Sequence, residues 1–248
     1  MRNTFCIRNN YDSGEYMNTM SFISDNLNKS EIFNGLSNRQ FADMIKRGHR
    51  ITLPSKSILF HQSDPATSYF LVNQGLLKLT KLNEQGKEII LRYIGAGELT
   101  AAIAVLKNWK YPAIAESVED TEIIGWDKQT MMQLMHRYPD ISINLLGIIL
   151  ERIDDMQHRY LEVCTERVDQ RIARSLLRLM RRAGSKTREG ILIDIALSRQ
   201  NIADYSGTTL YTVSRTLSAW EKNGWIRSGR EQIFVINPHA LVQFAETG

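Results

Sequence analysis

The sequence is short of cysteine, and this scarcity excludes several kinds of site. Cys6 and Cys164 are the only cysteines in 248 residues. They lie far apart and have no partner at metal-ligand spacing, so we expect neither disulfides, nor an iron–sulfur cluster, nor a cysteine zinc site. Because a free cysteine usually packs as a small apolar residue, Cys164 is predicted to be buried.

Long apolar runs are also lacking. No stretch approaches the ~18 consecutive apolar residues that a membrane helix needs, and the run over residues 141–150 is broken by Ser142 and Asn144. The first 16 residues contain no continuous apolar segment, so no signal peptide is expected. We therefore predict no membrane partner and a cytoplasmic location.

The motifs of common enzymes are missing as well. The chain contains no nucleophile elbow, no glycine-rich phosphate loop and no His-Glu-x-x-His pair. These patterns place a nucleophile, a phosphate or a metal in its reactive geometry. We therefore predict that the protein is not an enzyme.

Positive charge is concentrated at the C-terminal end. From Arg167 onward there are 13 Lys and Arg residues against 7 Asp and Glu, whereas the preceding part has 18 against 20. A basic region of this kind favours a polyanion, because Lys and Arg release counterions when they neutralise phosphates. The alternative for residues such as Arg178, Arg181 and Arg182 is a solvated helix face.

The first half of the chain predicts an antiparallel β domain over residues 28–138. A polar segment without periodicity, residues 1–27, precedes it as a flexible extension, and Ser37 is predicted to cap a helix. Short runs rich in β-branched and aromatic residues are separated by turn residues, which indicates a barrel or sandwich rather than βαβ units. The runs are 57–61, 69–72, 76–82, 88–94, 113–118 and 122–126.

Helical periodicity follows the β domain. A short helix is predicted over residues 128–138 and a long one from Pro139 to about Thr165, within a segment 139–166. Its apolar stripe predicts pairing with a second chain, because a lone helix would expose it to water. The alternative is that the stripe packs on the chain's own β domain. The stripe consists of Leu145, Ile149, Ile153, Met156, Tyr160 and Val163.

Residues 167–248 predict a second domain with a helix-turn-helix. A helix is expected from Val168 to near Gly184, followed by a polar loop over residues 185–190. Ser198 is a suitable N-cap for the next helix, and Gly207 supplies a left-handed residue at its end. Thr208 or Thr209 then caps another helix to about residue 223, with an inward face of Val213, Leu217 and Trp220.

The opposite face of this last helix carries hydrogen-bonding groups and one guanidinium fork. Such a surface is typical of a recognition helix, since arginine can bridge guanine O6 and N7. Two short strands over residues 224–236 predict a wing, from which Arg227 and Arg230 would reach phosphates. The alternative is an ordinary helical hairpin. The predicted DNA-binding residues are Ser198, Arg199, Thr209, Tyr211, Thr212, Ser214, Arg215, Ser218 and Arg230.

Five motifs of the chain resemble those of the CRP/FNR family of bacterial regulators, and the resemblance covers roughly residues 32–236. The motifs are Phe-His-Gln-Ser-Asp-Pro at 60–65, Gly-Leu-Leu-Lys-Leu at 75–79, Gly-Ala-Gly-Glu-Leu at 95–99, Ser-Arg-Gln-Asn-Ile-Ala at 198–203 and Thr-Val-Ser-Arg at 212–215.

The resemblance implies an α+β fold with three parts. They are an antiparallel jelly-roll domain like those that bind cyclic nucleotides, a long dimerisation helix and a C-terminal winged helix-turn-helix. It also implies a homodimer that binds a palindromic operator in double-stranded DNA and works with RNA polymerase. Its half-sites would lie one DNA turn apart, ~34 Å.

The chain departs from family members that bind cyclic AMP. Those members hold the phosphate with an Arg-Ser pair, whereas Tyr111 and Pro112 stand in that place here. Proline removes a donor and tyrosine supplies no charge, so the effector is predicted not to be cyclic AMP. The oxygen-sensing members' N-terminal cysteines are also missing. The resemblance places the effector pocket at Gly97, Glu98, Leu99, Tyr111, Met156, Gln157 and His158.

The segment 207–221 is similar to the branch that regulates nitrite and nitric oxide reduction (NnrR-like), although Tyr211 replaces a common glutamate. This similarity implies nitric oxide as an effector, sensed through haem, for which His158 and His61 are the candidate axial ligands. A different class of function stays open, namely a ligand-binding regulatory module of a signalling complex that does not read DNA.

Overall fold

The computed structural model describes residues 27–229 and 231–247. The predicted extension therefore lies outside the described residues except for Leu27, which is fully buried. Arg230, a predicted DNA contact, also lies outside them. Within the described ranges, no helix is both long enough and apolar enough to cross a membrane.

The predicted α+β fold with an antiparallel β domain is confirmed, and this domain consists of two four-stranded sheets. Their strand orders are β1-β8-β3-β6 and β2-β7-β4-β5, with every pairing antiparallel. The strands are β1 His49–Leu53, β2 Ile58–Phe60, β3 Ser68–Gln74, β4 Leu77–Leu82, β5 Glu88–Ile94, β6 Leu99–Thr100, β7 Ile114–Ser117 and β8 Thr121–Asp127.

Three helices accompany the sheets: α1 Asn38–Arg47, α2 Ala102–Leu106 and α3 Lys128–Arg137. The predicted cap of α1 is present, because the Ser37 hydroxyl accepts from the Gln40 backbone N–H. The sequence did not predict β1, β6 or α2. Both β6 and α2 are too short to show a period, so tertiary packing rather than local pattern decides them.

Helix α4, Asp140–Thr165, has two different apolar faces. Ile141, Leu145 and Ile148 are buried against the chain's own β domain. Further along this face, Arg152 donates to the Leu99 carbonyl. Leu145 therefore lies in the core of one chain, which differs from its predicted place at a dimer interface.

The exposed face of α4 carries residues at alternating steps of three and four. We call this set the α4 seam. It keeps Ile153 and Tyr160 of the predicted stripe, whereas Leu145 is buried and Ile149 packs partly buried on the β domain. Met156 and Val163 are exposed beside the seam, and Cys164 is exposed rather than buried. The prediction for Cys164 is wrong because the last turns of α4 present another face, with Arg159 and Glu162, to the chain's own domains. The seam consists of Ile143, Leu146, Leu150, Ile153, Gln157, Tyr160 and Cys164.

The C-terminal domain packs four helices on a four-stranded sheet of order β11-β12-β10-β9. Its strands β9 and β10 overturn the predicted polar loop over residues 185–190, because they pair as a hairpin around residues 188–189. The elements are α5 Val168–Ala183, β9 Gly184–Thr187, β10 Gly190–Ile193, α6 Arg199–Ser206, α7 Leu210–Lys222, β11 Ile226–Gly229, β12 Gln232–Val235 and α8 Pro238–Thr247.

Candidate nucleic-acid interface

Helix α6 and the turn after it follow the pattern read from the sequence. The Ser198 hydroxyl accepts from the Asn201 N–H at 3.0 Å, and the Asn201 side chain accepts from the Ser198 N–H at 3.0 Å. Gly207 ends the helix with φ +68°. A side chain there would be strained in this left-handed backbone even though a Cβ would meet open space. The cap and the glycine together fix the angle between α6 and α7.

Helix α7 is capped by Thr209, whose hydroxyl oxygen accepts from the Thr212 N–H at 3.2 Å. Its inward face is buried as predicted, with Val213 and Leu217 fully buried and Trp220 4% exposed. Trp220 packs on the rings of Trp225 and Phe244. The helix is therefore held rigidly on the domain core, and its other face is free to meet a ligand.

The outward face of α7 presents the predicted polar surface. Tyr211 is 75% exposed, Arg215 is exposed, and Ser214 and Ser218 are half-exposed. Among the residues that the structure describes, Arg215 makes no hydrogen bond or ion pair, so its donors are available to DNA. Lys222 continues this face and was not predicted, although its spacing of seven from Arg215 could have indicated it.

The wing carries Arg227, whose side chain is engaged in contacts within the chain. The two predicted strands are present as β11 and β12, which pair antiparallel. The Arg227 guanidinium lies 3.1 Å from Glu189 on the β9–β10 hairpin and packs over the Phe234 ring. Arg227 therefore ties the wing to that hairpin.

A hydrogen-bonded trio links α6, α7 and the wing, and no local sequence pattern indicates it. Arg199 Nη2 donates to Ser228 Oγ at 3.3 Å. Ser228 in turn donates its N–H at 2.7 Å and its hydroxyl to Glu221 Oε1. These bonds, with the nearby Arg199 charge, hold the pKa of Glu221 below its usual value despite partial burial. We call Arg199, Ser228 and Glu221 the wing trio.

The two domains meet at a cluster of arginines that the sequence did not reveal. Glu98 Oε1 accepts from Arg92 of β5 and from Arg182 of α5, each at 3.2 Å. Glu98 Oε2 accepts from the Gly95 N–H at 2.8 Å. One carboxylate therefore joins the β domain to the C-terminal domain.

Helix α4 completes this contact. Arg159 donates to the carbonyls of Leu91 and Tyr205, and its guanidinium lies 4.7 Å from the Tyr205 ring centre. Tyr205 also meets Tyr93 of β5 edge to face. The residues that bridge the domains form the domain junction: Arg92, Tyr93, Glu98, Arg159, Glu162, Arg178, Arg182 and Tyr205.

The junction also fixes the angle between α4 and α5, which are separated only by residues 166 and 167. Arg178 Nη1 contacts both oxygens of Glu162, at 2.7 and 2.9 Å. Arg174 and Glu166 form a second pair at 2.6 Å. These ion pairs therefore hold the C-terminal domain against α4 as well as against the β domain.

The structure does not assemble the predicted effector residues into one pocket. Tyr111 is buried, stacks on Phe60 with ring centres 4.0 Å apart, and donates to the Ser68 carbonyl. Glu98 is engaged in the domain junction. Gly97 adopts φ +84° in the turn before β6, and Leu99 is buried. Met156, Gln157 and His158 are exposed on α4.

The candidate haem ligands are both exposed to solvent. The His158 side chain is 70% exposed and its Nε2 lies 3.5 Å from Asp154 on the same helix. His61 is exposed in the loop after β2. In the described part of the chain, no group of three or more His, Cys, Asp or Glu side chains is placed to hold a metal ion.

Two family models match the chain, one for each domain. A cyclic nucleotide-binding domain matches residues 50–138, and a Crp-like helix-turn-helix domain matches residues 170–244. The first match covers the jelly roll, and the second covers α5 to α8 with the wing. The matched helix-turn-helix model includes the polar face of α7, the cap of α6 and the wing trio.

Known proteins resemble the chain over most of its length. The transcriptional activator protein anr of Pseudomonas aeruginosa is 27% identical, over 82% of each chain. The cyclic AMP receptor protein of Thermus thermophilus is 27% identical, over 87% of this chain and 97% of its own. The structure of FixK2 from Bradyrhizobium japonicum has a TM-score of 0.68 at 22% identity and covers 79% of this chain and 96% of its own, which shows the shared fold.

Proposed function

The chain is a DNA-binding transcription regulator of the CRP/FNR type, and on that premise we propose that it acts as a homodimer on a palindromic operator under the control of an effector other than cyclic AMP. The observation that carries the proposal is the exposed polar face of α7, on a helix whose other face is locked into the domain core. This is the arrangement that a recognition helix needs to enter the major groove.

Arg215 is the residue that reads a base in this proposal. Its unpaired guanidinium can donate two parallel hydrogen bonds to guanine O6 and N7. Tyr211 has no carboxylate with which to accept from cytosine N4, so the operator differs at that base pair from the sites of relatives with glutamate there. Ser198 and Thr209 lie at the starts of α6 and α7, where helix N-termini favour phosphates.

The α4 seam supplies the second half of the proposal. Its residues alternate at heptad spacing and are exposed, for example Ile143 at 67%, Leu150 at 56% and Tyr160 at 70%. The opposite face of α4 is occupied by the chain's own domains. A second copy packing on the seam would cover this apolar surface and form a parallel coiled coil. Two recognition helices then face half-sites one DNA turn apart, ~34 Å.

The β domain is proposed to sense an effector without binding cyclic AMP. Tyr111 fills the place of the phosphate-binding pair, is buried, and uses its hydroxyl on the backbone of Thr67 and Ser68. Neither Tyr111 nor the Pro112 that follows it offers a cation for a phosphate. Titration with cyclic AMP should therefore leave the operator affinity unchanged.

Nitric oxide is the narrower proposal for the effector, and its support is the similarity of residues 207–221 to the branch that regulates nitric oxide reduction. The residues of one chain do not fit haem, since the side chains of His158 and His61 are exposed to water. An absorption spectrum after haem addition tests it, because a bound group gives a Soret band and its absence rejects haem.

The proposed control is a population shift between orientations of the DNA-reading domain. The domain junction holds one orientation through Glu98, Arg159 and Arg182. An effector that prefers another orientation changes the separation of the two α7 helices and hence the operator affinity. At its operator the dimer would then recruit or block RNA polymerase.

Selection of DNA from a randomised library tests the proposed function. We expect the full chain to enrich a palindrome and to bind it with an affinity that falls steeply as salt rises. A chain that enriches no sequence, with or without nitric oxide, would instead be a ligand-binding module that does not read DNA.

Cys164 provides an independent test of the dimer. Because it ends the α4 seam, mild oxidation should link two chains through it, provided that their Cα atoms lie within ~7 Å. The Cys6→Ser variant should still form the covalent dimer and Cys164→Ser should not. A chain that is monomeric at micromolar concentration contradicts the proposal.

A further inference from the structure

The wing trio contains a carboxylate on the helix that faces DNA. Glu221 lies near the end of α7, and a negative charge beside DNA phosphates is unfavourable unless it is neutralised. Ser228 gives Glu221 two hydrogen bonds, at its backbone N–H and its hydroxyl, and Arg199 supplies the nearby positive charge. Oxygen Oε1 of the acid is thus satisfied within the protein.

The Ser228 hydroxyl both accepts and donates in this set of hydrogen bonds. Its hydroxyl proton goes to Glu221, so an oxygen lone pair faces Arg199 Nη2 at 3.3 Å. If Glu221 were absent, the hydroxyl would be free to rotate and to donate elsewhere. The carboxylate therefore orients the acceptor that Arg199 meets.

Arg199 uses only one of its donors in this bond. Within the described ranges Ser228 is the single hydrogen-bond partner of the Arg199 side chain, and the guanidinium carries five N–H donors. Arg199 is half-exposed on the first turn of α6, the helix that crosses the DNA backbone when a recognition helix enters the major groove. Its remaining donors are therefore available to a phosphate.

We propose that Glu221 and Ser228 are positioning residues that hold the Arg199 guanidinium against one DNA phosphate in each half-site. The trio makes α6, the end of α7 and the wing dock on DNA as one surface. This inference rests on the proposed function, because it requires the dimer to bind a palindrome through α7.

A purely structural role for the trio would give a different result. Fastening β11 to α7 alone predicts that loss of Glu221 lowers stability and that its effect on DNA affinity adds to the effect of losing Arg199. A positioning role predicts that the effects of losing Glu221 and of losing Arg199 on DNA affinity do not add, because each removes the same phosphate contact.

The test measures operator affinity against salt for the full chain and its Arg199→Met, Ser228→Ala and Glu221→Met variants. The probe is the duplex that the unmodified chain selects. Each phosphate contact adds about 0.9 to the slope of log affinity against log salt. Loss of one contact in each half-site should lower the slope by about 2 in all three variants, with the base preferences unchanged.

Three controls separate the interpretations. Glu246→Gln removes an equal charge from exposed α8 and should leave the slope unchanged, and Ser228→Thr keeps a hydroxyl and should restore it. Arg199→Met with Glu221→Met should lose no more slope than Arg199→Met alone. Thermal melting identifies any variant that fails to fold, in which case Ser228→Ala decides.

An unchanged slope in Ser228→Ala, or additive losses in the double variant, overturns the positioning role. Failure of the unmodified chain to select any duplex is a different outcome, since it rejects the proposed function itself.

Discussion

Arg215 is the side chain at which base reading and general attraction to DNA can be separated. Replacement by alanine should abolish the preference for guanine at one position of each half-site, at a cost of about 1–3 kcal/mol per bidentate contact. A selection experiment on the variant measures this directly. Arg181→Ala removes the same charge from an exposed position on α5 and should keep the preference. If Arg215→Ala selects the parental sequence, α7 docks differently.

Tyr111 is a buried aromatic residue of the β domain that packs on Phe60 and bonds the backbone of Ser68. Tyr111→Ala should destabilise the protein by about 3–5 kcal/mol, as is usual for loss of a buried aromatic ring. Tyr111→Phe keeps the ring but removes the hydroxyl that bonds the backbone of Thr67 and Ser68, at a cost of about 1–3 kcal/mol. Urea unfolding measures both, and equal stability of the three proteins would contradict the packing on Phe60.

Residues with a local role were predictable, whereas those with a distant partner were not. Ser198 and Gly207 act within one turn of the chain, so the sequence order itself carries the signal. Arg199 and Ser228 are 29 residues apart and meet only because the wing folds back over α6. Glu98 and Arg182 are 84 residues apart, and nothing in either segment points to the other.

At the scale of one element, α4 shows why periodicity gave only part of the answer. Apolar spacing predicted an amphipathic helix and its bounds correctly. It did not say which apolar residues face the chain's own β domain, because both faces follow the same helical repeat. Leu145 and Leu146 are neighbours in sequence, yet the first is 3% exposed and the second 57%.

The role of the α4 seam in dimer formation can be tested by substitution. Leu150→Glu should shift the dimer toward monomer, because the partner's seam would bury an unpaired charge. His158→Glu adds a charge at an exposed position beside the seam and should leave the dimer intact. Sedimentation over a range of concentrations measures both variants. A dimeric Leu150→Glu chain would place the interface elsewhere.

At the scale of the whole molecule, the domain junction decides how the two domains are held. Arg182→Met removes one of the two arginines that contact Glu98 and should weaken the contact between the two domains by about 1–2 kcal/mol. Hydrogen exchange should then be faster in β5 and α6, with the rest of each domain unchanged. The neighbouring variant Arg181→Met is the control, and equal exchange in the two variants would deny the junction this role.

Glu119 lines a cleft of about 630 Å³ between the domains, and its pKa predicts that the stability of the protein depends on pH. Burial raises the pKa of Glu119, and the charges of Asp194 and Asp120 raise it further. Because the folded-state pKa lies above the unfolded value, this group opposes folding at neutral pH. The effect declines as the pH falls through the raised pKa and is gone below the unfolded value.

Glu119→Gln should therefore stabilise the protein at pH 7, by under about 1 kcal/mol since the carboxyl is partly exposed to solvent. The gain should shrink toward pH 4.5. Urea unfolding at both values measures it, with Glu84→Gln on the exposed β4–β5 turn as control. A gain that grows on acidification would reverse the assigned sign.

The length of α4 has a mechanical consequence. Its 26 residues span about 39 Å at 1.5 Å each, and the DNA-reading domain is clamped at its far end. A tilt of about 10° at the sensing end thus swings that domain through about 7 Å, which is roughly two base-pair steps along DNA. In the proposed dimer α4 would act as a lever arm, and a small tilt of the β domain would then misalign the two half-sites.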